Sequence, residues 1–277
     1  MKKIITLTFI LCSFLTFAQK KEKVKGSKIV KMEQKEVENF QNLEVEDNLE
    51  IFLVKGNECA IEIEADDNLI EYVEYKSAGN TLKLSTSRDI TSSKKLSVRV
   101  TYTDDFKMLI AKNETNITAL SNMTIDNITF KTYDYAKLFL NAKTKMFTLM
   151  ANDKSKVELN LKSEKTTIDL SKSAQLKALI SSTSMKFDLY QKSKGDIEGD
   201  IIDLDLTIDN NAYLDGEKFI AKNAEIKAEG FSTAKIMVAT KVIINASGKS
   251  EIQLYGEPKI ELKRFTESAV LTKKPSK

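Results

Sequence analysis

Apolar and polar residues alternate along almost the whole chain. Between about Phe40 and Tyr102, the segments LEVE, LEIFLV, CAIEIEA, TLKLS and LSVRVTY carry an apolar side chain at every second position. A period of two predicts β-strands that bury one face. Gly-Asn pairs at 56–57 and 79–80 are turn signals between these strands. The first part of the chain is therefore predicted to be β-rich.

Two segments depart from this alternation. Residues 19–38 are highly charged and are predicted to form a loosely held arm that joins the strands near Phe40. The segment DDNLIEYVEY predicts a helix of one or two turns, capped by Asp66 or Asp67.

From about Phe106 a short phrase recurs. It consists of a turn-former, any residue, a small residue, any residue and an aliphatic residue, and its spacing varies between 16 and 22 residues. A second strand, such as TTIDL or MKFDL, lies between successive copies. The copies are Asn113–Ile117, Asp134–Leu138, Asp153–Val157, Lys172–Leu176, Ser193–Ile197, Asn210–Leu214, Ser232–Ile236 and Gly248–Ile252.

Two short strands and two corners in each repeat are typical of a parallel β-solenoid. The turn-former would make the corner, the small residue would point inward where coils lie close, and the aliphatic residues would stack into one core. The outward Lys, Ser and Asp side chains would face water. A β-sandwich gives a similar alternation, but its strands do not require a recurring phrase of this kind.

Three stretches of the chain stand out together: VKGSKIVKMEQKEVENFQNLEVE, LEIFLVKGNECAIEIEADDNLIEYVEYKSAGNTLKLS and ASGKSEIQLYGEPKIEL. In this order they resemble a family of unknown function that occurs in Bacteroidetes, the auto-transporter adhesins with a head GIN domain. The resemblance covers about residues 24–271 and implies a right-handed parallel β-helix exported to the cell envelope or surface. It brings no catalytic or ligand-binding residues. The chain departs from the family pattern in its few glycines, with Lys249 and FTES at 265–268 where the family tends to have Gly-Ser-Gly.

The N-terminus predicts export. Lys2 and Lys3 precede an apolar run, and Ala18 stands at the last position before a cleavage site. Cys12 follows a leucine rather than the small residue that a lipoprotein signal needs, so ordinary cleavage is expected. The mature protein would then reach the periplasm, the outer-membrane surface or the extracellular space without a transmembrane segment.

These observations predict one β-solenoid domain between short terminal segments. Whether its first part forms the first coils or a separate lobe is left open. The predicted divisions are a signal peptide at 1–18, the arm at 19–38, the domain at 39–271 and a basic tail at 272–277. Within the domain, residues 39–105 are predicted to be irregular and β-rich. The regular coils follow at 106–256 and the C-terminal strands at 257–271.

Composition argues against most enzyme classes and against nucleic-acid binding. The 43 basic and 40 acidic residues leave a net charge of +3, and three of the basic residues are Arg, the usual residue for phosphate recognition. The chain has no His, the commonest general base and metal ligand, and no Trp. No catalytic residue or cofactor is therefore predicted. Cys59 is in phase with its strand's apolar residues, which indicates a buried, unpaired thiol.

The segment 188–217 is the most acidic part of the chain, with nine carboxylates against two lysines. Asp200, Asp203 and Asp205 are weak candidates for a Ca²⁺ site, although the segment contains no calcium-binding loop motif. In the predicted register Asp205 lies between Lys186 and Glu225. Such a mixed column favours a solvated outer wall over a metal site.

Tyr133, Tyr135 and Tyr213 lie near predicted corners and are weak candidates for an edge that stacks on sugars. The sequence favours a non-enzymatic envelope or surface protein with an adhesin-like or scaffold role, whose partner is a surface glycan or an envelope protein. A glycan-binding or glycan-active β-helix is the alternative, and an aromatic column beside two carboxylates would favour it. A periplasmic accessory domain that binds a partner along an open strand edge is a further alternative, favoured by an uncapped terminal coil and disfavoured by an arm folded over it.

Overall fold

The computed structural model describes residues 21–275. The chain forms a β-solenoid, as its repeats predict, and the solenoid has about 9 turns. Nearly all strand pairs that connect successive turns are parallel. At a strand spacing of about 4.8 Å, the stack is roughly 40 Å long.

The N-terminal section alternates short strands with one turn of 3-10 helix over Ile70–Tyr72. Its strands are β1 (Lys23–Lys25), β2 (Val30–Glu36), β3 (Asn42–Val45), β4 (Glu50–Lys55), β5 (Ala60–Asp66), β6 (Val73–Ala78), β7 (Thr81–Thr86), β8 (Asp89–Ser92) and β9 (Leu96–Tyr102).

The repeated part contains six long strands between groups of shorter ones. Four short strands come first: β10 (Met108–Ala111), β11 (Asn116–Ala119), β12 (Met123–Thr124) and β13 (Asn127–Thr132). The long strands are β14 (Lys137–Ala151), β15 (Lys156–Leu170), β16 (Gln175–Leu189), β17 (Lys194–Ile208), β18 (Tyr213–Ala228) and β19 (Thr233–Ala246). The last strands are β20 (Glu251–Tyr255), β21 (Lys259–Phe265) and β22 (Val270–Lys273).

The pairing of the long strands is interrupted near their middles, at Glu164 of β15 for example, so that each contributes to two sheets. The first sheet comprises β9, β4, β11, β12, the first halves of β14–β19, β20 and β22. The second sheet comprises β7, β3, β10, β13, the second halves of β14–β19, and β21.

Inward side chains stack from turn to turn into a continuous core. In the second sheet a buried column runs through Leu43, Leu109, Phe130, Leu149, Ile168, Phe187, Leu206, Ile226 and Ile244. The matching position of the first sheet is aliphatic except at Gly195, which stands between Leu176 and Leu214, and at Ala234, which follows Leu214. A Cβ atom at Gly195 would lie 3.1 Å from Phe187 Cζ and 3.2 Å from Leu214 Cδ1, so larger neighbours fill the space that the glycine leaves.

The corner that precedes the first sheet is made as the phrase predicts. The corner residues Asp134, Asp153, Lys172, Gln191 and Asn210 have positive φ and follow one another at intervals of 19 residues. Aspartate and asparagine tolerate this left-handed conformation better than most side chains. Two residues after each corner residue comes a buried small residue, in the order Ala136, Ser155, Ala174, Ser193 and Ala212.

Two copies of the predicted phrase are displaced by two residues. The structure places Ser193, not Gly195, at the small position, because Gly195 pairs with Leu176 in the aliphatic column. In the same way Ser232 takes the small position after Gly230, and Ala234 pairs with Leu214. The predictions for Ser193–Ile197 and Ser232–Ile236 were therefore wrong in register.

The N-terminal section joins the stack in an order that differs from the chain order. Strands β3 and β4 lie between the turn formed by β7 and β9 and the turn formed by β10 and β11. Strands β5 and β6 pair antiparallel with β9 and β7. The N-terminal strands thus extend the same two sheets.

The arm is not loosely held where the structure describes it. Strand β2 pairs antiparallel with β5 along its whole length, and β1 pairs with β8. The buried Asp66 carboxylate accepts hydrogen bonds from the backbone N–H groups of Lys28, Lys94 and Lys95 at 2.9–3.1 Å. Charged residues can form this strand because pairing uses the backbone and the side chains remain in water.

The predicted helix is a single 3-10 turn, and its capping was wrong. Leu69 occupies the N-cap position without a side-chain cap, because Asp66 is engaged with the arm and the Asp67 carboxylate accepts from Ser27 Oγ at 2.6 Å. Cys59 is buried and unpaired, as predicted.

Glu46 connects three strands of the N-terminal stack. It follows β3, and its carboxylate lies 2.8 Å from Lys83 Nζ of β7 and 2.9 Å from Lys112 Nζ, just after β10. Partial burial acts to raise the pKa of Glu46, but the hydrogen bonds and charges of the two lysines outweigh burial and lower the pKa to about 2. The ionised form therefore stabilises the fold.

We expect Glu46→Gln to reduce the loss of stability at low pH. Because the folded pKa is lowered from 4.5 to about 2, the contribution of Glu46 is complete above about pH 4.5 and disappears as the pH falls through 2. The substitution should lower the free energy of unfolding at neutral pH by about 1–3 kcal/mol and flatten its decline below pH 5. Urea unfolding at several pH values measures both effects. The exposed control Glu164→Gln should change neither, and equal pH profiles for wild type and Glu46→Gln would contradict the assignment.

Candidate functional site

The outward surface of the first sheet carries a continuous groove. Three adjoining hollows of about 590, 480 and 660 Å³ follow one another along the stack, and Asp196 lines all three. They extend from Thr118 on β11 to Tyr255 on β20. We call this concave surface the groove.

Strand alternation places two neighbouring columns of outward residues in the groove. One column runs through Glu158, Lys177, Asp196 and Asp215, which are partners from strand to strand. The next column runs through Asn141, Asn160, Leu179 and Glu198. The first column contains one lysine and three carboxylates, and the second contains two amides, a leucine and one carboxylate.

An ordered polar cluster lies at the β18 and β19 end of the groove. The Tyr213 hydroxyl donates to Asp215 Oδ2 at 3.1 Å, and Lys235 Nζ donates to the same oxygen at 3.2 Å. Lys235 Nζ also lies 5.6 Å from the centre of the Tyr213 ring, within the range of a cation–π contact. The three side chains therefore hold one another in fixed positions.

These contacts set the protonation states of the cluster. Partial burial acts to raise the pKa of Asp215, but the hydrogen bonds from Lys235 and Tyr213 outweigh burial and hold the pKa below its ordinary value. Hydrogen bonds to Tyr213 and Asp215 raise the pKa of Lys235 well above its ordinary value. The pair is therefore ionised at neutral pH.

Apolar side chains lie between these polar groups. Leu179 is 51% exposed and Ile220 is 45% exposed, and both line the groove. Met237 and Tyr255 line the hollow next to Ile220. The groove thus offers apolar contact and hydrogen-bonding groups side by side, a composition suited to binding an extended ligand.

The structure does not bring the three predicted tyrosines together. Tyr213 lies in the groove. Tyr133 and Tyr135 flank the corner at Asp134, four turns or roughly 19 Å from the corner at Asn210. The Tyr135 side chain contacts Lys154, whose Nζ lies 3.2 Å from its hydroxyl and 5.1 Å from its ring centre.

Asp200, Asp203 and Asp205 flank the interruption between the halves of β17. Asp200 accepts from Ser181 Oγ at 3.2 Å, and Asp203 accepts from Asn223 Nδ2 at 2.9 Å. The predicted register of Asp205, between Lys186 and Glu225, is confirmed. Within residues 21–275, no group of three or more His, Cys, Asp or Glu side chains is placed to hold a metal ion.

Sequence reasoning missed the apolar part of the groove. Leu179 and Ile220 are outward residues of strands whose other outward residues are mostly polar. In QLKALISS, Leu179 is out of phase with the buried Leu176, Ala178 and Ile180. That break in the alternation is the signal that would have located the groove.

A family of known sequences matches most of the chain. The family described as "Putative auto-transporter adhesin, head GIN domain" matches residues 39–258. The chain belongs to this family. No curated protein matches the chain.

Solved structures of similar fold include three proteins from two Parabacteroides species. A putative adhesin of Parabacteroides merdae has 16% identity and a TM-score of 0.65, over 91% of this chain and 99% of the other. One from Parabacteroides distasonis has 14% identity and a TM-score of 0.69, over 91% and 100%. A "putative lipid binding protein" of Parabacteroides distasonis has 12% identity and a TM-score of 0.57, with the same coverage. At these identities the likeness supports the fold of the head GIN family and nothing finer.

Between residues 21 and 275 no helix has the length and apolar character to cross a bilayer.

Removing the Tyr213 hydroxyl should raise the pKa of Asp215. In Tyr213→Phe the carboxylate loses one donor that stabilises its ionised form but keeps Lys235, so its pKa should move towards the ordinary aspartate value. Carbon-detected NMR titration of the Asp215 carboxyl measures this change. Tyr135→Phe is the matched control and should leave Asp215 unchanged. An Asp215 titration that is identical in wild type and Tyr213→Phe would contradict the described hydrogen bond.

Proposed function

We propose that this head GIN family protein is exported and acts as a non-enzymatic, adhesin-like protein that binds an extended ligand along the groove. The observation that carries the proposal is the continuity of the groove, from β11 to β20 across successive turns. A polymer chain or an extended polypeptide segment could contact several turns at once. Such repeated contact gives useful affinity without one deep pocket.

The scaffold supports binding because it is rigid. The strands under the groove are hydrogen-bonded on both sides to neighbouring turns. Several of the charged groups already have partners, such as Lys218 Nζ with Glu198 Oε1 at 2.9 Å and Lys235 with Asp215. A ligand would therefore meet a surface whose side chains need little reordering, which lowers the entropic cost of association.

The same pairing favours binding over catalysis. A carboxylate that acts as a general acid near neutral pH needs a raised pKa. In the groove the pKa of Asp215 is instead lowered by Lys235 and Tyr213. This supports the non-enzymatic part of the proposal.

A glycan is the ligand class that a specific observation favours. Tyr213, an aromatic side chain, lies beside the carboxylates of Asp196 and Asp215 in one hollow, and the amides of Asn141 and Asn160 line the next. Amide and carboxylate groups hydrogen-bond sugar hydroxyls, and aromatic rings stack on sugar faces. One face of the Tyr213 ring is already near Lys235 Nζ, so hydrogen bonding would contribute more than stacking.

Replacing Leu179 in the groove with lysine should weaken the binding of a glycan. Leu179→Lys should reduce signals on a glycan array at least about tenfold, because it removes apolar contact and adds a charge that must be desolvated. Met146→Lys is the matched control, since Met146 is 50% exposed but lies outside the groove, on the second sheet. The array is run with Ca²⁺ and again with EDTA, which also tests Asp200, Asp203 and Asp205.

Photo-crosslinking separates a glycan ligand from a protein ligand. A benzophenone side chain placed at 179 should capture an envelope protein in producing cells if the ligand is a polypeptide, and the same group at 146 should not. Absence of both array binding and 179-specific adducts would contradict the proposed role of the groove.

Export is tested at the N-terminus. Residues 1–20 lie outside the described structure, so the signal peptide remains a prediction. The mature protein should begin at Gln19, and Ala18→Arg should block cleavage because signal peptidases require a small residue there. Mass spectrometry of the N-terminal peptide from fractionated cells measures this, and an intact N-terminus with cytoplasmic fractionation would contradict export.

A further inference from the structure

The two ends of the solenoid differ in how their cores are closed. At the N-terminal end the inward residues of β7 and β9 are fully buried, namely Leu82, Leu84, Val98 and Val100. At the C-terminal end the inward residues of β21 are exposed: Ile260 by 40%, Leu262 by 51% and Phe265 by 38%. Their partners one turn below, Val242, Ile244 and Ala246, are buried. The last turn therefore leaves the core open to solvent.

The backbone at this end is also unpaired on one side. Within residues 21–275, β21 pairs only with β19, and β22 pairs only with β20. An edge strand with free N–H and C=O groups beside exposed apolar residues is a template for another strand. We call β21 and β22 the open end.

We propose that the open end pairs with the open end of a second copy of this chain, through antiparallel contact of β21 with its own copy about a two-fold axis. This inference is independent of the ligand proposed for the groove. It rests on the exposed core, the free edge and the charge pattern of β21.

The charge pattern is self-complementary in two registers, centred on Ile260 or on Leu262. The second needs Lys263, which the irregular pairing of β21 with β19 skips, so we choose the first. When Ile260 lies opposite its own copy, Lys259 of each chain lies opposite Glu261 of the other, so this charge pair forms twice in the dimer. A shift by one residue pair in either direction brings like charges together, Lys259 against its own copy or Glu261 against its own copy. Opposite charges across antiparallel strands stabilise the pairing, and like charges destabilise it.

The closed N-terminal end explains why association would stop at two. A two-fold contact uses the same surface on both copies and leaves no second open end. The opposite end is covered by the antiparallel strands β5 and β6 and by the arm strand β2. Head-to-tail stacking would place the exposed core of the open end against a core that is already covered.

Sedimentation velocity over a range of concentrations tests the proposal on the protein purified from producing cells. The wild type should dimerise, and Lys259→Glu or Glu261→Lys alone should weaken the dimer at least about tenfold, because each reversal creates two like-charge pairs. The double variant Lys259→Glu/Glu261→Lys should restore the dimer to within about threefold. Lys162→Glu, on an exposed site of a middle turn, is the matched control and should leave dimerisation unchanged. Thermal unfolding of each variant confirms that it is folded.

Cysteine crosslinking gives a second measurement that does not depend on the charge variants. In the proposed register Ile260→Cys lies opposite its own copy, at a separation that allows a disulfide, whereas Leu262→Cys does not. Ile260→Cys should therefore form a covalent dimer on mild oxidation, and Leu262→Cys should form much less; the buried Cys59 does not interfere. Any of four results would overturn the proposal. The wild type could stay monomeric, or the single charge reversals could leave the dimer unchanged. The double variant could fail to restore the dimer, or crosslinking could be stronger at 262 than at 260.

Discussion

From β10 onwards, every turn of this solenoid depends on a corner in which one residue takes positive φ. A left-handed conformation costs an ordinary L-residue about 1–2 kcal/mol, so an isolated corner would be unfavourable. The structure offsets this cost by hydrogen bonds between neighbouring corners of the stack. The Lys154 N–H donates to the Asp134 carbonyl at 2.7 Å, and the Ser173 N–H donates to the Asp153 carbonyl at 2.7 Å. Corners are therefore stable only as a stack, and the flat sheets and the groove exist because the stack is continuous.

The N-terminal section shows what happens where this regularity ends. Strands β3 and β4 precede β7 and β9 in the chain but lie between them and the regular turns. Their pairing joins residues far apart in sequence, such as Glu50 with both Ser97 and Asn116. Contacts of this range close long loops and form slowly in folding. The lysines around Glu46 and the backbone amides around Asp66 then hold this inserted turn and its arm in place by interactions that need both neighbours to be present.

The solenoid could be predicted from the sequence because the pattern of its core repeats locally. The predictions that failed depend on contacts between residues far apart in the sequence. The phrase at Ser193 was misplaced because Gly195 satisfies the small position in sequence, while in space it makes room for Phe187 of the turn below. From Asp134 to Asn210 the corner residues recur every 19 residues, and this constant interval would have placed the phrase correctly. The prediction of a loosely held arm was wrong because the charge density of the arm gives no information on whether β5 offers a backbone edge for pairing. The order of β3, β4, β7 and β9 had no sequence signal, since all four alternate in the same way.

The groove could be located only after the fold was known, because its apolar residues are recognised by the fact that they do not contribute to the core. The turn that contains Leu179 already fills its core with Leu176, Ala178 and Ile180. An outward leucine there adds nothing to the packing of that core and exposes apolar surface to water. The acidic block at 188–217 attracts attention in the sequence, yet on the fold its carboxylates are distributed over both sheets and several have lysine, serine or asparagine partners. A concave surface that keeps apolar side chains the core does not need is well explained by a bound ligand. A surface whose charges neutralise one another does not call for a ligand. The groove is therefore a better candidate site than the acidic block.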